Sequence, residues 1–234
     1  MNFLDNPILL LQFENKIPKP GKTGLDWFFF CYFLNKFKNT NMLEIGAGNG
    51  GSTFTMSAFT KDITIIDNWQ YGWNKKSVET IVNQLNLTFK FIDTSSEILN
   101  STELETYKFI HLDAHRDYQG ASADLQLSQQ ICTGIICVDD YMNTMWPEVT
   151  WAVTDFIQNN PDWKIVFIGN HQVFLSKNSI DIKELIVDFP VVTRMNSTYL
   201  TYGNLPDYTD QFVKNGKMQY SWHQISTINN KINF

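Results

Sequence analysis

Met42-Leu43-Glu44-Ile45-Gly46-Ala47-Gly48-Asn49-Gly50-Gly51-Ser52-Thr53 is the stretch on which the fold turns. A short, mostly apolar strand runs without a break into a glycine-rich turn, and a helix-compatible segment opens immediately after it. That succession is the first βα unit of an open α/β sheet. Glycines stand where the backbone must bend sharply and where a ligand lies against the main chain. Glu44 is the unusual residue. A loop that cradles phosphates gains nothing from a carboxylate two positions before its first glycine, whereas a loop that holds a cationic ligand does.

Outward from this stretch, strands and helices alternate. Pro18, Pro20, Gly21 and Gly24 mark a loop, and a helix is predicted over 25–37. After the glycine turn come a helix over 52–59 and a strand over 63–66 that ends at Asp67-Asn68-Trp69. A helix over 76–85 carries Val78, Ile81, Val82 and Leu85 on one face. Strands over 87–92, 109–112 and 134–138 follow, with helices over 121–131 and 151–157. The segments 163–168 and 172–175 are separated only by Gly169-Asn170-His171, too short for a parallel crossover, so they form an antiparallel hairpin at the sheet edge. The expected fold is a Rossmann-like open sheet of about seven strands, mostly parallel with an antiparallel C-terminal hairpin and helices on both faces. We expect one domain: an N-terminal helix and lid over 1–40, a cofactor-binding core over 41–178 and a C-terminal extension over 179–234.

The chain has 234 residues, 43% of them apolar and 18% charged, which suits a globular domain with a full core. A net charge of −6, with Arg116 and Arg194 as the only arginines, argues against nucleic acid as the main partner. The apolar run 25–34 is too short to cross a bilayer, and no basic-then-apolar leader precedes it, so neither membrane nor export is expected. Cys31, Cys132 and Cys137 share no metal-ligand spacing and read as reduced, buried thiols of a cytoplasmic protein.

In a doubly wound sheet, ligands bind beyond the carboxyl ends of the strands, and the chemically distinctive residues gather there. Glycines 46, 48 and 51, with Asp67 downstream, match a dinucleotide fingerprint, which leaves an NAD-dependent oxidoreductase open. Glycines 46, 48 and 50, with Glu44 ahead, instead resemble the first motif of class I S-adenosylmethionine-dependent methyltransferases. That resemblance implies a cofactor site made of Glu44, Gly46, Ala47, Gly48, Asn49, Gly50, Asp67, Asn68, Trp69, Thr94, Ser95 and Asp113. Glu44 would favour the cationic end of adenosylmethionine, Asp67 would accept its ribose hydroxyls, and Trp69 would stack on or flank the adenine.

Asp113 closes the fourth strand, and Asp139-Asp140 close the fifth. Three carboxylates crowded together repel one another, and a hard divalent cation relieves the repulsion. The alternative is that one acid caps a helix while the others face water. These two blocks resemble the macrocin-type sugar O-methyltransferase branch of the same superfamily, over about residues 41–175. The resemblance implies magnesium on Asp113, Asp139 and Asp140, and a His or Lys base three positions after Asp113. Here that position is Arg116, which cannot be deprotonated. His115, one residue earlier, is the substitute proton acceptor, with a cofactor-contacting loop histidine as its rival reading. His111, inside the strand, reads as a satisfied core histidine. The expected activity is O-methylation of a small-molecule hydroxyl on a sugar or other polyhydroxylated acceptor, with a homo-oligomer left open. A non-catalytic adenosylmethionine-binding module and methylation at nitrogen or carbon are the remaining alternatives.

Overall fold

A computed structural model describes residues 6–22, 24–70, 72 and 74–178, together with the backbone of two short paired strands, Phe212–Lys214 and Met218–Tyr220. The expected extension over 179–234 otherwise lies outside the described residues, as do Thr23 and Trp73.

Seven strands form one sheet: β1 Met42–Ile45, β2 Ile63–Asp67, β3 Phe89–Asp93, β4 Tyr107–Leu112, β5 Cys132–Asp139, β6 Lys164–Ile168 and β7 Gln172–Ser176, in the spatial order β3-β2-β1-β4-β5-β7-β6. All pairings from β3 to β5 are parallel, and β7 is antiparallel to both β5 and β6. The chain winds outward from β1 to β3 and then crosses to β4, so the order reverses between β1 and β4. That is where such sheets bind ligands. The hairpin is antiparallel as expected, but its second strand is the inner one. Residues 169–171 are too few for anything but an antiparallel return, and β7, buried along its whole length, fills the place beside β5 and leaves β6 at the edge.

Both faces of the sheet are covered, as parallel strands require. Successive side chains alternate between faces. On one face Met42, Phe109, Ile135 and Phe174 pack against Phe30, Phe33 and Leu34 of helix α2, Gly24–Lys36. On the other, Leu43, Ile110, Ile136 and Val138 pack against helices α5, Tyr118–Ile131, and α6, Pro147–Asn159. The same alternation places Glu44, His111, Asp113 and Asp139 on the α2 side.

Helix α3, Gly51–Ser57, opens directly from the glycine turn, and helix α4, Lys75–Gln84, joins β2 to β3. One helix was not anticipated. Helix α1, Pro7–Phe13, is capped by Asn6, whose Oδ1 accepts from the amides of Ile8 and Leu9 at 3.0 and 3.4 Å. It brings Gln12, fully buried, onto the start of α3, where Nε2 donates to the Gly51 carbonyl at 2.7 Å and Oε1 accepts from the Thr55 hydroxyl at 2.9 Å. Among the described residues, no helix is long and apolar enough to cross a membrane.

Candidate active site

A cleft of about 550 Å³ opens at the carboxyl edge of the sheet, over the reversal point between β1 and β4. Its floor is Gly46, Ala47, Gly48 and Asn49. Asp67 and Asn68 line it from β2, Thr94 and Ser95 from the end of β3, and Asp113 and His115 from the end of β4. Pro20 and Gly21 of the N-terminal segment close one side. Gly46 has φ +88°, and a Cβ there would lie 2.5 Å from the Ala114 backbone, so the loop and the turn after β4 touch only because position 46 has no side chain.

Five of the loop's amides are committed within the protein. Ala47 and Gly48 donate to Asp67 Oδ2 at 2.8 and 3.0 Å, and Gly46 donates to the Ile66 carbonyl. Gly50 donates to the Ala47 carbonyl and Gly51 to Asn49 Oδ1. A pyrophosphate needs such amides free. Here a carboxylate already holds two of them, and acids (Asp67, Glu97, Asp113 and Asp117) line the cleft, with Arg116 as the cationic group among the lining residues. Gly51 packs against the backbone of Lys19 and Pro20 instead of against a strand, which removes the third glycine's role in a dinucleotide fingerprint.

Three residues expected at the cofactor do not line the cleft. Glu44 is fully buried beneath it, where it accepts from the Thr53 hydroxyl and from His111 Nδ1 at 2.9 Å. Its carboxylate faces the α2 side because position 44 alternates with the cleft-facing Ile45. Gly50 (φ +84°) is the N-cap of α3, and its α-carbon backs onto the Phe54 ring. Trp69 turns toward β3: its indole N–H donates to Asp93 Oδ1 at 3.1 Å, and its ring lies 6.2 Å from that of Phe91.

Beneath Asp113 a polar row crosses the sheet. Lys22, whose side chain is 2% exposed, places Nζ 2.8 Å from Asp139 Oδ2 and 3.1 Å from His111 Nε2. An ammonium is a donor only, so His111 Nε2 carries the lone pair and Nδ1 the proton given to Glu44. These partners assign a neutral tautomer. Burial and the neighbouring ammonium both hold the His111 pKa below its ordinary value. Burial works to raise Asp139, but Lys22 overrides it and keeps that carboxyl below the usual range. Asp113 is pushed well above the usual range by burial and by the adjacent Asp139.

The residues expected to hold a divalent cation do not fit one. His111, Asp113 and Asp139 do present donor atoms within 4.8 Å of one another. Yet the ammonium of Lys22 is seated on two of those donors, and Asp113 Oδ1 accepts from the Arg116 guanidinium at 3.2 Å. Asp140 is turned aside, accepting from Arg116 Nε and from Asn143 Nδ2, each at 2.8 Å. The recess that Asp113, Asp139 and Asp140 share is about 10 Å³, room for a single water, and Asp113 also borders the larger cleft.

His115 is held on the other flank. Nδ1 lies 3.1 Å from Asp124 Oδ2, the Ser96 hydroxyl donates to the same buried carboxylate, and the ring rests on Gly120, where a Cβ would collide with it. The hydrogen bond to Asp124 raises the His115 pKa. His115 thus sits with Ser96 and Glu97 on the β3 side, and it also borders the small recess next to Asp113, Asp139 and Asp140. Lys22 and Asp124 were not anticipated as site residues. An acid on the apolar stripe of α5, beside Ala121, Leu125 and Ser128, is a readable signal for Asp124; nothing local distinguishes Lys22.

No protein-family model matches the sequence, and no curated protein matches it. Solved structures do. The O-methyltransferase NovP superposes with a TM-score of 0.55 at 14% identity, covering 66% of this chain and 80% of that one. The Podospora anserina methyltransferase PaMTH1, bound to S-adenosylhomocysteine, gives 0.53 at 16% identity, covering 68% and 80%. An rRNA methylase from Streptococcus thermophilus gives 0.51 at 12% identity, covering 64% and 95%. With the seven-stranded sheet and its reversal point over the cleft, these likenesses show that the chain has the fold of the class I S-adenosylmethionine-dependent methyltransferases.

Proposed function

We propose that this protein is an S-adenosylmethionine-dependent methyltransferase that methylates a hydroxyl of a small polyhydroxylated acceptor such as a sugar. The observation that carries this reading is the state of the glycine loop. Most of its amides are taken up by Asp67, by Ile66 and by the loop itself, in a cleft lined with acids, so the site suits a phosphate-free, cationic nucleoside better than NAD.

Bound adenosylmethionine supplies an electrophilic methyl on a sulfonium, a good leaving group. Gly46–Asn49 form the floor beneath it, and Asp67 Oδ1, which accepts from the Trp69 amide at 2.6 Å, has a lone pair left for a hydroxyl donor. Thr94 and Ser95 offer polar contacts at the β3 end, and His115, anchored by Asp124, flanks the same end as a positioning group. We favour this role over the expected one of base because Nδ1 of His115 is engaged by Asp124. Asp113 is the better proton acceptor. It stands at the border between the cofactor loop and the tips of β4 and β5, and its raised proton affinity makes it a stronger base than an ordinary carboxylate. Positioning of the acceptor hydroxyl against Asp113 accounts for most of the rate.

The acidic cleft and the net charge of −6 favour a small, uncharged acceptor over RNA. Metal assistance, the finer part of the expectation, is set aside because Lys22 and Arg116 already neutralise the carboxylates. Isothermal titration with S-adenosylhomocysteine and with NAD tests the cofactor reading. Saturable binding of the former alone is expected, and binding of NAD alone would reject it. Methyl transfer from radiolabelled adenosylmethionine to a panel of glycosides and to total RNA then tests the acceptor. Label confined to RNA would reject the small-molecule part.

A further inference from the structure

Among the described residues, Lys22 is the lysine near the cleft whose ammonium is removed from water, and it lies where three potential metal donors converge. We propose that the Lys22 ammonium is the resident cation of this centre, occupying the place of a divalent ion, so that the site neither binds nor requires one.

The geometry is specific. Nζ is 2.8 Å from Asp139 Oδ2, 3.1 Å from His111 Nε2 and 5.1 Å from the centre of the Phe30 ring, and the side chain is 2% exposed. His111 and Asp139 supply two of the three atoms that a metal would need. Each gives the ammonium the lone pair a metal would use, and the third donor, Asp113, accepts from Arg116. A divalent ion at bonding distance from these atoms, about 2.0–2.6 Å, would sit against a fixed ammonium in a poorly solvated pocket, where like charges repel strongly. Phe30 adds a face of negative potential on one side of the ammonium, a contact suited to a tethered organic cation.

The same contacts tie the centre to the cofactor loop. Thr53 at the start of α3 donates to Glu44, His111 donates to Glu44 and accepts from Lys22, and Lys22 donates to Asp139. Four polar links thus run from the glycine helix across β1 and β4 to β5, closed by a residue of the N-terminal segment that also lines the cleft through Pro20 and Gly21. In a metal site, the segment before α2 would contribute no charge. Here it carries the charge itself, and Asp139 is neutralised whenever that segment is folded.

The consequence for catalysis rests on the methyltransferase reading, but the test does not. Manganese is titrated into the full-length protein and followed by the electron paramagnetic resonance of the free ion, for the wild type and for Lys22→Met. The wild type should leave manganese free up to about 1 mM, the weak end of protein carboxylate sites. Lys22→Met, which frees the lone pairs of His111 and Asp139, should bind one equivalent, and Lys22→Met/Asp139→Asn none. One equivalent bound by the wild type and lost in Asp139→Asn overturns the proposal, and so does a folded Lys22→Met variant that binds no manganese. Should Lys22→Met not fold, long-range ¹H–¹⁵N spectra of the wild type decide. A His111 Nε2 resonance unmoved by magnesium or zinc supports Lys22 as the cation, and a metal-induced shift of that nitrogen refutes it. Binding of S-adenosylhomocysteine, measured separately, tells a failure of the cofactor reading from a failure of this one.

Discussion

Asp113 and Asp139 stand at the tips of neighbouring strands, yet their surroundings drive them apart. Lys22 keeps Asp139 below the usual carboxyl range, while burial and the neighbouring Asp139 make Asp113 hold its proton more tightly. In the proposed role of base, Asp113 must first be ionised. The acid limb of the rate–pH profile should therefore fall well above the ordinary carboxylate value of about 4. Asp113→Asn should lower kcat by about 10²–10⁴-fold while leaving adenosylhomocysteine affinity nearly unchanged, as single-turnover assays and calorimetry can show. Glu44 has a structural part instead. Glu44→Ala would strand the Thr53 hydroxyl and the His111 N–H in a dry interior, and a loss of about 2–5 kcal/mol in urea unfolding is expected. That Asp113 and Asp139 gather at the carboxyl edge of the sheet was legible, since they close successive strands. Their partners were not, because Lys22 is 89 residues from His111 along the chain and no local pattern joins them.

At the scale of elements, the loop after β1 and the start of α5 carry the site's geometry. Gly46→Ala would place a side chain at φ +88° and against the Ala114 backbone. We expect a loss of about 1–3 kcal/mol or more in stability, along with loss of cofactor binding, measured by denaturation and calorimetry. His115 links α5 to the turn after β3. Its pKa is raised in the folded state by Asp124, so its contribution to stability is complete below the ordinary imidazole value of about 6.5 and is lost as pH rises through the raised value. The destabilisation caused by His115→Ala should accordingly be larger at about pH 5.5 than at about pH 9, and urea titrations at both would show it. Elements with a clear period were readable to within a few residues, including the strand Met42–Ile45 end to end. Helix α1 was missed although Asn6-Pro7 is a helix-start signal, because a seven-residue helix offers too few turns for its apolar period to register.

For the whole molecule, the strand order decides what the edge of the sheet can bind. The reversal between β1 and β4 opens the cleft, and the glycine loop closes its amides on Asp67. Adenosylhomocysteine at about 100 times its Kd should stabilise the fold by about 2.7 kcal/mol, and NAD at the same concentration should not shift thermal unfolding. The sequence by itself determined the α/β class, the antiparallel hairpin and the set of acids and glycines at the strand ends, since period-two and period-3.6 patterns and turn residues are local physics. Only the tertiary structure decided which way those side chains face and what neutralises them. Whether three carboxylates recruit a metal or a lysine depends on which distant segment folds over them. Here the loop before α2 brings Lys22 into the row of Glu44, His111 and Asp139, a long-range pairing that burial rewards and that no spacing along the chain encodes.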